Sequence, residues 1–202
     1  MFEENKGYLP NQQPSDEIPN DRYQEAYEGY VLNQKLENEA FVDKMTGLYN
    51  RNAWDDYVKH FDGSRGDVAT IIMCDINGLK HTNDTKGHSA GDLLIKNTAS
   101  LFKETFTRAH DKIFRIGGDE FIICIENNKT SEEKENLEKF ISVQFSKENQ
   151  VDHKTNFSYG IAHYDPSIDI NGICVLNKEE GKNYQTTFDR ADQTMYKQKH
   201  VT

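Results

Sequence analysis

Two stretches of this sequence place carboxylates where strongly apolar runs give way to turns. The first is Thr70-Ile71-Ile72-Met73-Cys74-Asp75-Ile76-Asn77-Gly78-Leu79-Lys80. Its apolar run reads as a strand buried on both faces, ending at Asp75 where Asn77-Gly78 forces a turn. The second is Arg115-Ile116-Gly117-Gly118-Asp119-Glu120-Phe121, flanked by Lys112-Ile113-Phe114 and by Ile122-Ile123-Cys124-Ile125. The β-branched and aromatic flanks read as two strands, and Gly117-Gly118 is expected to supply the positive φ angles of a tight hairpin. Asp119 and Glu120 follow directly on that turn. A central-strand Asp beside a carboxylate-bearing hairpin can hold Mg²⁺, which prefers oxygen ligands and engages one or two protein carboxylates plus substrate phosphates. In isolation the Gly-Gly-Asp would read as a solvated turn; the two stretches together favour the metal.

The elements that must position these groups follow from periodicity. Residues 1 to about 20 are polar, carry Pro10, Pro14 and Pro19, and read as disordered or as a linker. A helix is expected from Asp21 to Val42, packed on its own domain in preference to forming the end of a coiled-coil stalk, because fewer than three clean heptads are present. Asp43–Arg51 breaks it at Thr46-Gly47, and an Asp43–Arg51 pair is one way to fix that turn. A second helix carries Ala53, Trp54, Tyr57, Val58 and Phe61. After the Gly63–Gly66 loop come a strand at 68–76, a helix near 89–107 and the hairpin at 112–125. A charged helix near 131–147 turns Leu137, Phe140 and Ile141 inward. A strand near 155–164, an irregular insertion at 165–183 and a helix at about 184–200 complete the chain. This plan is an α/β (α+β) domain with a mainly antiparallel sheet.

Composition narrows the partners. A formal charge of −10 over 202 residues, with no Lys/Arg block, argues against nucleic acid. No apolar run is long enough to span a bilayer and the start lacks a signal-peptide pattern, so a cytoplasmic location is expected. Cys74, Cys124 and Cys174 have no ligand spacing, and the first two read as buried, reduced thiols.

Taken together, Asp75-Ile76-Asn77-Gly78-Leu79-Lys80, Asn83-Asp84, Gly87-His88, Gly91-Asp92 and Gly117-Gly118-Asp119-Glu120-Phe121 stand in the order and spacing of the GGDEF-family diguanylate cyclases. Asp43-Lys44-Met45-Thr46-Gly47-Leu48-Tyr49-Asn50-Arg51 at the front agrees, as do Ala191-Asp192, Met195-Tyr196 and Lys199 at the back. The resemblance covers roughly residues 43–200, with residues 1–42 as an N-terminal extension.

The resemblance implies a palm-like nucleotidyl cyclase core that joins two GTP molecules into cyclic di-GMP in a facing homodimer, each half-site holding one GTP. It implies Mg²⁺ or Mn²⁺ held by Asp75, Asp119 and the Ile76 carbonyl, with Glu120 as an extra ligand; one hairpin carboxylate is also a candidate to take the proton. The Asn77-Gly78-Leu79 turn, Lys80 and Lys199 are expected at the phosphates. Asn83 and Asp92 match the base-reading positions, and they answer the donor and acceptor edge of guanine; Asp92 as a helix N-cap is the alternative. Arg108-Ala109-His110-Asp111 matches the RxxD product-inhibition site, against the alternative of a surface ion pair. Two departures stand out: Gly78-Leu79 replaces a bulkier aromatic pair, and Asp119 is one methylene shorter than the Glu of some members. The basic residue that the family usually has a few positions beyond Lys199 would fall past Thr202. Two other function classes remain: a degenerate module that binds GTP or cyclic di-GMP and recruits a partner, and a cyclase making mixed dinucleotides. The intact carboxylates, Lys80, Asn83 and Asp92 argue against the first, and the carboxylate of Asp92 against the second.

Overall fold

Strands that are apolar at consecutive positions must be covered on both faces, and the two central runs obey that rule. A computed structural model describes residues 20–61, 69–126, 130–150, 155–165, 167, 169, 173 and 186–200. The elements are α1 (Asn20–Phe41), α2 (Arg51–His60), β1 (Ala69–Ile76), α3 (Leu79–Lys86), α4 (His88–Thr105), β2 (Lys112–Arg115), β3 (Glu120–Glu126), α5 (Ser131–Gln150), β4 (Phe157–His163) and α6 (Thr187–His200). The sheet is fully antiparallel in the order β2-β3-β1-β4, which makes this an α+β fold.

Each face of the sheet has its own core. Ile72, Cys74, Ile76, Phe121, Ile123 and Ile125 point to the side covered by α4 and α5, where Phe102, Phe145 and Phe157 meet edge to face. Ile71, Met73, Ile122 and Cys124 point to the side covered by α2 and α6, against Trp54, Ala191 and Met195. Trp54 is buried edge-on to Phe114, so α2 is anchored to the hairpin's first strand. Cys74 and Cys124 are free and buried, as expected, and burial pushes the Cys124 thiol up to about 12. Cys174, the Gly63–Gly66 loop, residues 1–19 and most of 165–183 lie outside the described residues. No helix among the described residues is long and apolar enough to cross a membrane.

Two expectations about packing are corrected. The described side chains of α1 from Gln24 to Ala40 are exposed, Tyr27 and Tyr30 among them; only its last residue, Phe41, packs against the α2–α6 core. Its apolar residues are too scattered around the helix to give one buried face. On α5, Ile141 is fully buried and Leu137 partly so, but Phe140 is 43% exposed, one step round the helix from the buried pair. The Asn77-Gly78 turn leads directly into a short helix that the sequence did not signal, α3, over residues 79–86.

The backbones of β4 and α6 come close at Gly160. A Cβ there would fall 2.1 Å from the Ala191 carbonyl oxygen and 2.3 Å from the Met195 nitrogen, both backbone atoms of α6. Backbone cannot retreat as a flexible side chain can, so Gly160→Ala should lower stability by about 2–3 kcal/mol, as other overpacked cores do. Urea denaturation of both proteins measures this. A midpoint unchanged from the parent would mean that α6 is free to shift away from the sheet.

Candidate active site

The β1–β3 ladder brings the two carboxylate stretches together. Asp75 lies directly opposite Glu120 in the antiparallel register, and the Ile76 N–H donates to the Asp119 carbonyl at 3.0 Å. Side chains alternate along a strand, so Asp75 shares a face with Ile71 and Met73, and Glu120 with Ile122 and Cys124. This is the face covered by α2 and α6. At its open end, Lys199 of α6 donates to Asp75 Oδ1 at 2.5 Å.

Glu120 has an elevated proton affinity. Burial is the main cause, followed by the neighbouring charges of Asp119, Asp75 and Asp192, with Arg51 opposing. This is the expected behaviour of carboxylates crowded without enough cation. The donor set is all oxygen, which suits Mg²⁺ or Mn²⁺. Among the described residues no three His, Cys, Asp or Glu side chains are gathered into a complete cage.

The hairpin turn is built differently from the expectation. Positive φ occurs at Gly47, Gly78 and Gly87, and not at Gly117 or Gly118. A Cβ at Gly117 would lie 2.6 Å from Glu120 Oε2, the end of a flexible side chain whose carboxylate folds back over the turn. The turn is held by Arg115, which donates through Nη2 to the Gly118 carbonyl at 2.9 Å and through Nη1 to both oxygens of Asp43 at 3.1 and 3.2 Å. The suggested Asp43–Arg51 pair is therefore replaced by Asp43–Arg115, while Arg51 pairs with Asp55 one helical turn away. Burial alone would raise the pKa of Asp43. Two hydrogen bonds from Thr46 and the Arg115 guanidinium outweigh it and hold the carboxyl below its ordinary value.

On the other side of β1, Gly78 at φ 70° starts α3. The Asn77 N–H donates to the Asn156 carbonyl, its Nδ2 to Asn156 Oδ1, and Ser158 Oγ donates to Asn77 Oδ1. The turn is thus fixed from the neighbouring strand β4. The N–H groups of Leu79 and Lys80 fall in the first turn of α3, where helices have no internal acceptor for them, and the Lys80 side chain is exposed. Asn83 lies against α4: a Cβ at Gly91 would sit 1.9 Å from Asn83 Oδ1, so Gly91 makes room for that amide beside Asp92. Asp92 falls inside α4 (His88–Thr105), four residues past its first position, which removes the N-cap alternative.

Arg108 and Asp111 stand apart, in the α4–β2 turn. The Arg108 N–H donates to Asp111 Oδ2 and the Asp111 N–H to the Arg108 carbonyl. Both line an open cavity of about 620 Å³ with His110, Glu126, Asn136 and Phe140. Sequence reasoning assigned no role to Arg115, to Asp192, or to the Asn156 and Ser158 partners of Asn77. An arginine closing a strand just before Gly-Gly was the one available signal.

A family profile described as "Diguanylate cyclase, GGDEF domain" matches residues 40–202. The chain belongs to the GGDEF diguanylate cyclase family. Among curated relatives, diguanylate cyclase DgcS of Shewanella oneidensis is 32% identical over 99 residues, which is 47% of this chain and 33% of that protein. Diguanylate cyclase A of Treponema denticola is 35% identical over 97 residues, 48% of this chain and 24% of that protein. The match thus spans a third or less of either relative's length. Among solved structures, the coiled coil and GGDEF domain of DgcB from Caulobacter crescentus, in complex with c-di-GMP, has a TM-score of 0.65 at 23% identity. It covers 90% of this chain and 92% of that one.

The charge crowding at Glu120 has a measurable sign. Its pKa is raised in the folded state, so its negative charge destabilises the fold above that pKa, and the penalty is relieved as pH falls towards the ordinary carboxylate value. Glu120→Gln should therefore be more stable than the parent at neutral pH in metal-free buffer, by about 0.5 kcal/mol given the partial exposure. The gain should vanish below the ordinary Glu range. Thermal melts from pH 4 to 8 test this; a variant less stable than the parent at pH 7 would contradict it.

Proposed function

We propose that this GGDEF domain is an active diguanylate cyclase that condenses two GTP molecules into cyclic di-GMP and two pyrophosphates. In each of two steps a ribose 3′-oxygen bonds to the α-phosphorus of the other nucleotide, the α–β P–O bond breaks, pyrophosphate leaves, and the hydroxyl proton passes to a base. The observation that carries the reading is the register that sets Asp75 opposite Glu120 with Asp119 tied to Ile76.

Asp75, Asp119, the Ile76 carbonyl and Glu120 would hold Mg²⁺ or Mn²⁺, which polarises phosphoryl oxygens and acidifies the attacking hydroxyl. The N–H groups at the start of α3, with Lys80 and Lys199, bind the β- and γ-phosphates. Asn83 and Asp92 read the guanine: the carboxylate accepts from N1–H and N2–H₂, while the Asn amide serves O6. One of the two hairpin carboxylates, Asp119 or Glu120, is the candidate to take the proton. One chain carries one such set of groups, so two copies face each other, each presenting one GTP. Relatives named as diguanylate cyclases, and a structural neighbour bound to c-di-GMP, support the substrate and product class.

The test is product chromatography after incubation with GTP, ATP and Mg²⁺. Cyclic di-GMP should be the dominant product, and Asp119→Ala should abolish it while leaving the melting curve nearly unchanged, because a turn carboxylate contributes little to the core. Near-parent turnover by that variant would sink the site assignment. A parent that binds GTP without forming product would indicate a regulatory module.

The cavity at Arg108 and Asp111 supports a separate product site with feedback inhibition, which requires the product to bind the unproductive arrangement more tightly. Arg108→Ala should then leave the initial rate intact and remove inhibition by added cyclic di-GMP. An unchanged inhibition curve would place the inhibition at the GTP site.

A further inference from the structure

We propose that Lys199 and the divalent metal exchange at Asp75, so that metal and triphosphate bind as a coupled pair. This rests on the cyclase reading of the site and adds an order to it. Lys199 Nζ lies 2.5 Å from Asp75 Oδ1, and the Asp75 side chain is 14% exposed, so the ammonium supplies close positive charge to a largely buried carboxylate. A metal on Asp75 would bond the same carboxylate at about 2.0–2.1 Å. An ammonium and a divalent ion held together on one small carboxylate repel strongly, so one must leave when the other arrives.

The site is built for that exchange. The last turn of α6 is pinned: Gln198 Oε1 accepts the Tyr159 N–H at 2.7 Å, and Gly160 lets the α6 backbone lie directly on β4. The origin of the Lys199 side chain is therefore fixed, and only its flexible four-carbon stem has to swing. At 39% exposure that side chain has room to move. Across the ladder Glu120 is crowded by Asp75, Asp119 and Asp192, so a departing ammonium leaves a carboxylate cluster in need of a cation. A triphosphate is the partner that would draw the ammonium away. A nucleotide carrying its own metal thus satisfies both charges at once, and metal alone does not.

The consequence is thermodynamic coupling, equal in both directions. Metal without nucleotide must displace Lys199; with nucleotide present, Lys199 is already engaged elsewhere. Mn²⁺ binding to the whole chain, followed by electron paramagnetic resonance, reads this without requiring turnover. Lys199→Met should bind Mn²⁺ alone about fivefold more tightly than the parent, as for loss of a partly exposed ion pair. Lys199→Arg should stay near the parent, and Asp75→Asn should weaken binding in either background. Adding a GTP analogue whose α–β bridge cannot be cleaved should tighten Mn²⁺ binding in the parent by a factor about five larger than in Lys199→Met. Equal or weaker Mn²⁺ binding by Lys199→Met, or an unchanged nucleotide effect, would overturn the exchange. Failure of the cyclase reading is a different outcome: no cyclic dinucleotide from GTP, whatever the order of Mn²⁺ affinities.

Discussion

Everything at this site descends from the pairing of β1 with β3. In an antiparallel ladder the side-chain period is two, so a slip of one residue sends every side chain to the other face. Here both strands are buried on both faces and the two cores differ, with aromatic rings from α4 and α5 on one side and Trp54 with α6 on the other. The packing therefore fixes the register. It brings Asp75 and Glu120 to the same open end, where no apolar neighbour would tolerate an unpaired charge.

Around that pairing the protein spends its polar contacts on backbone turns. Arg115 bridges the Gly118 carbonyl to the Asp43 carboxylate, and Asp43 in turn organises the Thr46 turn through two hydrogen bonds. Lys103 of α4 reaches the Thr46 carbonyl. The Asn77 turn is held in the same manner from β4 by Asn156 and Ser158. Two loops that carry chemistry are thus immobilised by groups that have no part in it, which is how a site acquires fixed geometry without strain in its own residues.

The sequence made the strands and the carboxylates legible because long β-branched runs ending in Asp or in Gly-Gly have few other uses. Their boundaries fall within a residue or two of those observed for β1, β3 and α4. Contacts between distant segments were not legible. Asp43 chose Arg115, 72 residues away, over the nearer Arg51, because Arg115 stands at the end of a strand beside it and Arg51 faces its own helix. The glycines of the hairpin signalled a turn correctly but not its conformation: neither Gly117 nor Gly118 has the positive φ that was expected. The helix α3 was hidden by its polar, Gly-bounded sequence, whereas α1 was legible as a helix but its aromatic residues suggested a burial that they do not have.

The contact between Lys199 and Asp75 joins residues 124 positions apart. A chain that emerges in order can pair β1 with β3, and then add β4, while α6 is still being made. The carboxylate end of the sheet is accordingly a newborn site, assembled but electrostatically bare until the last helix docks along Gly160. Non-local closures of this kind are slow relative to local folding. The Lys199–Asp75 contact can therefore close only once β1 and the last turn of α6 are both in place.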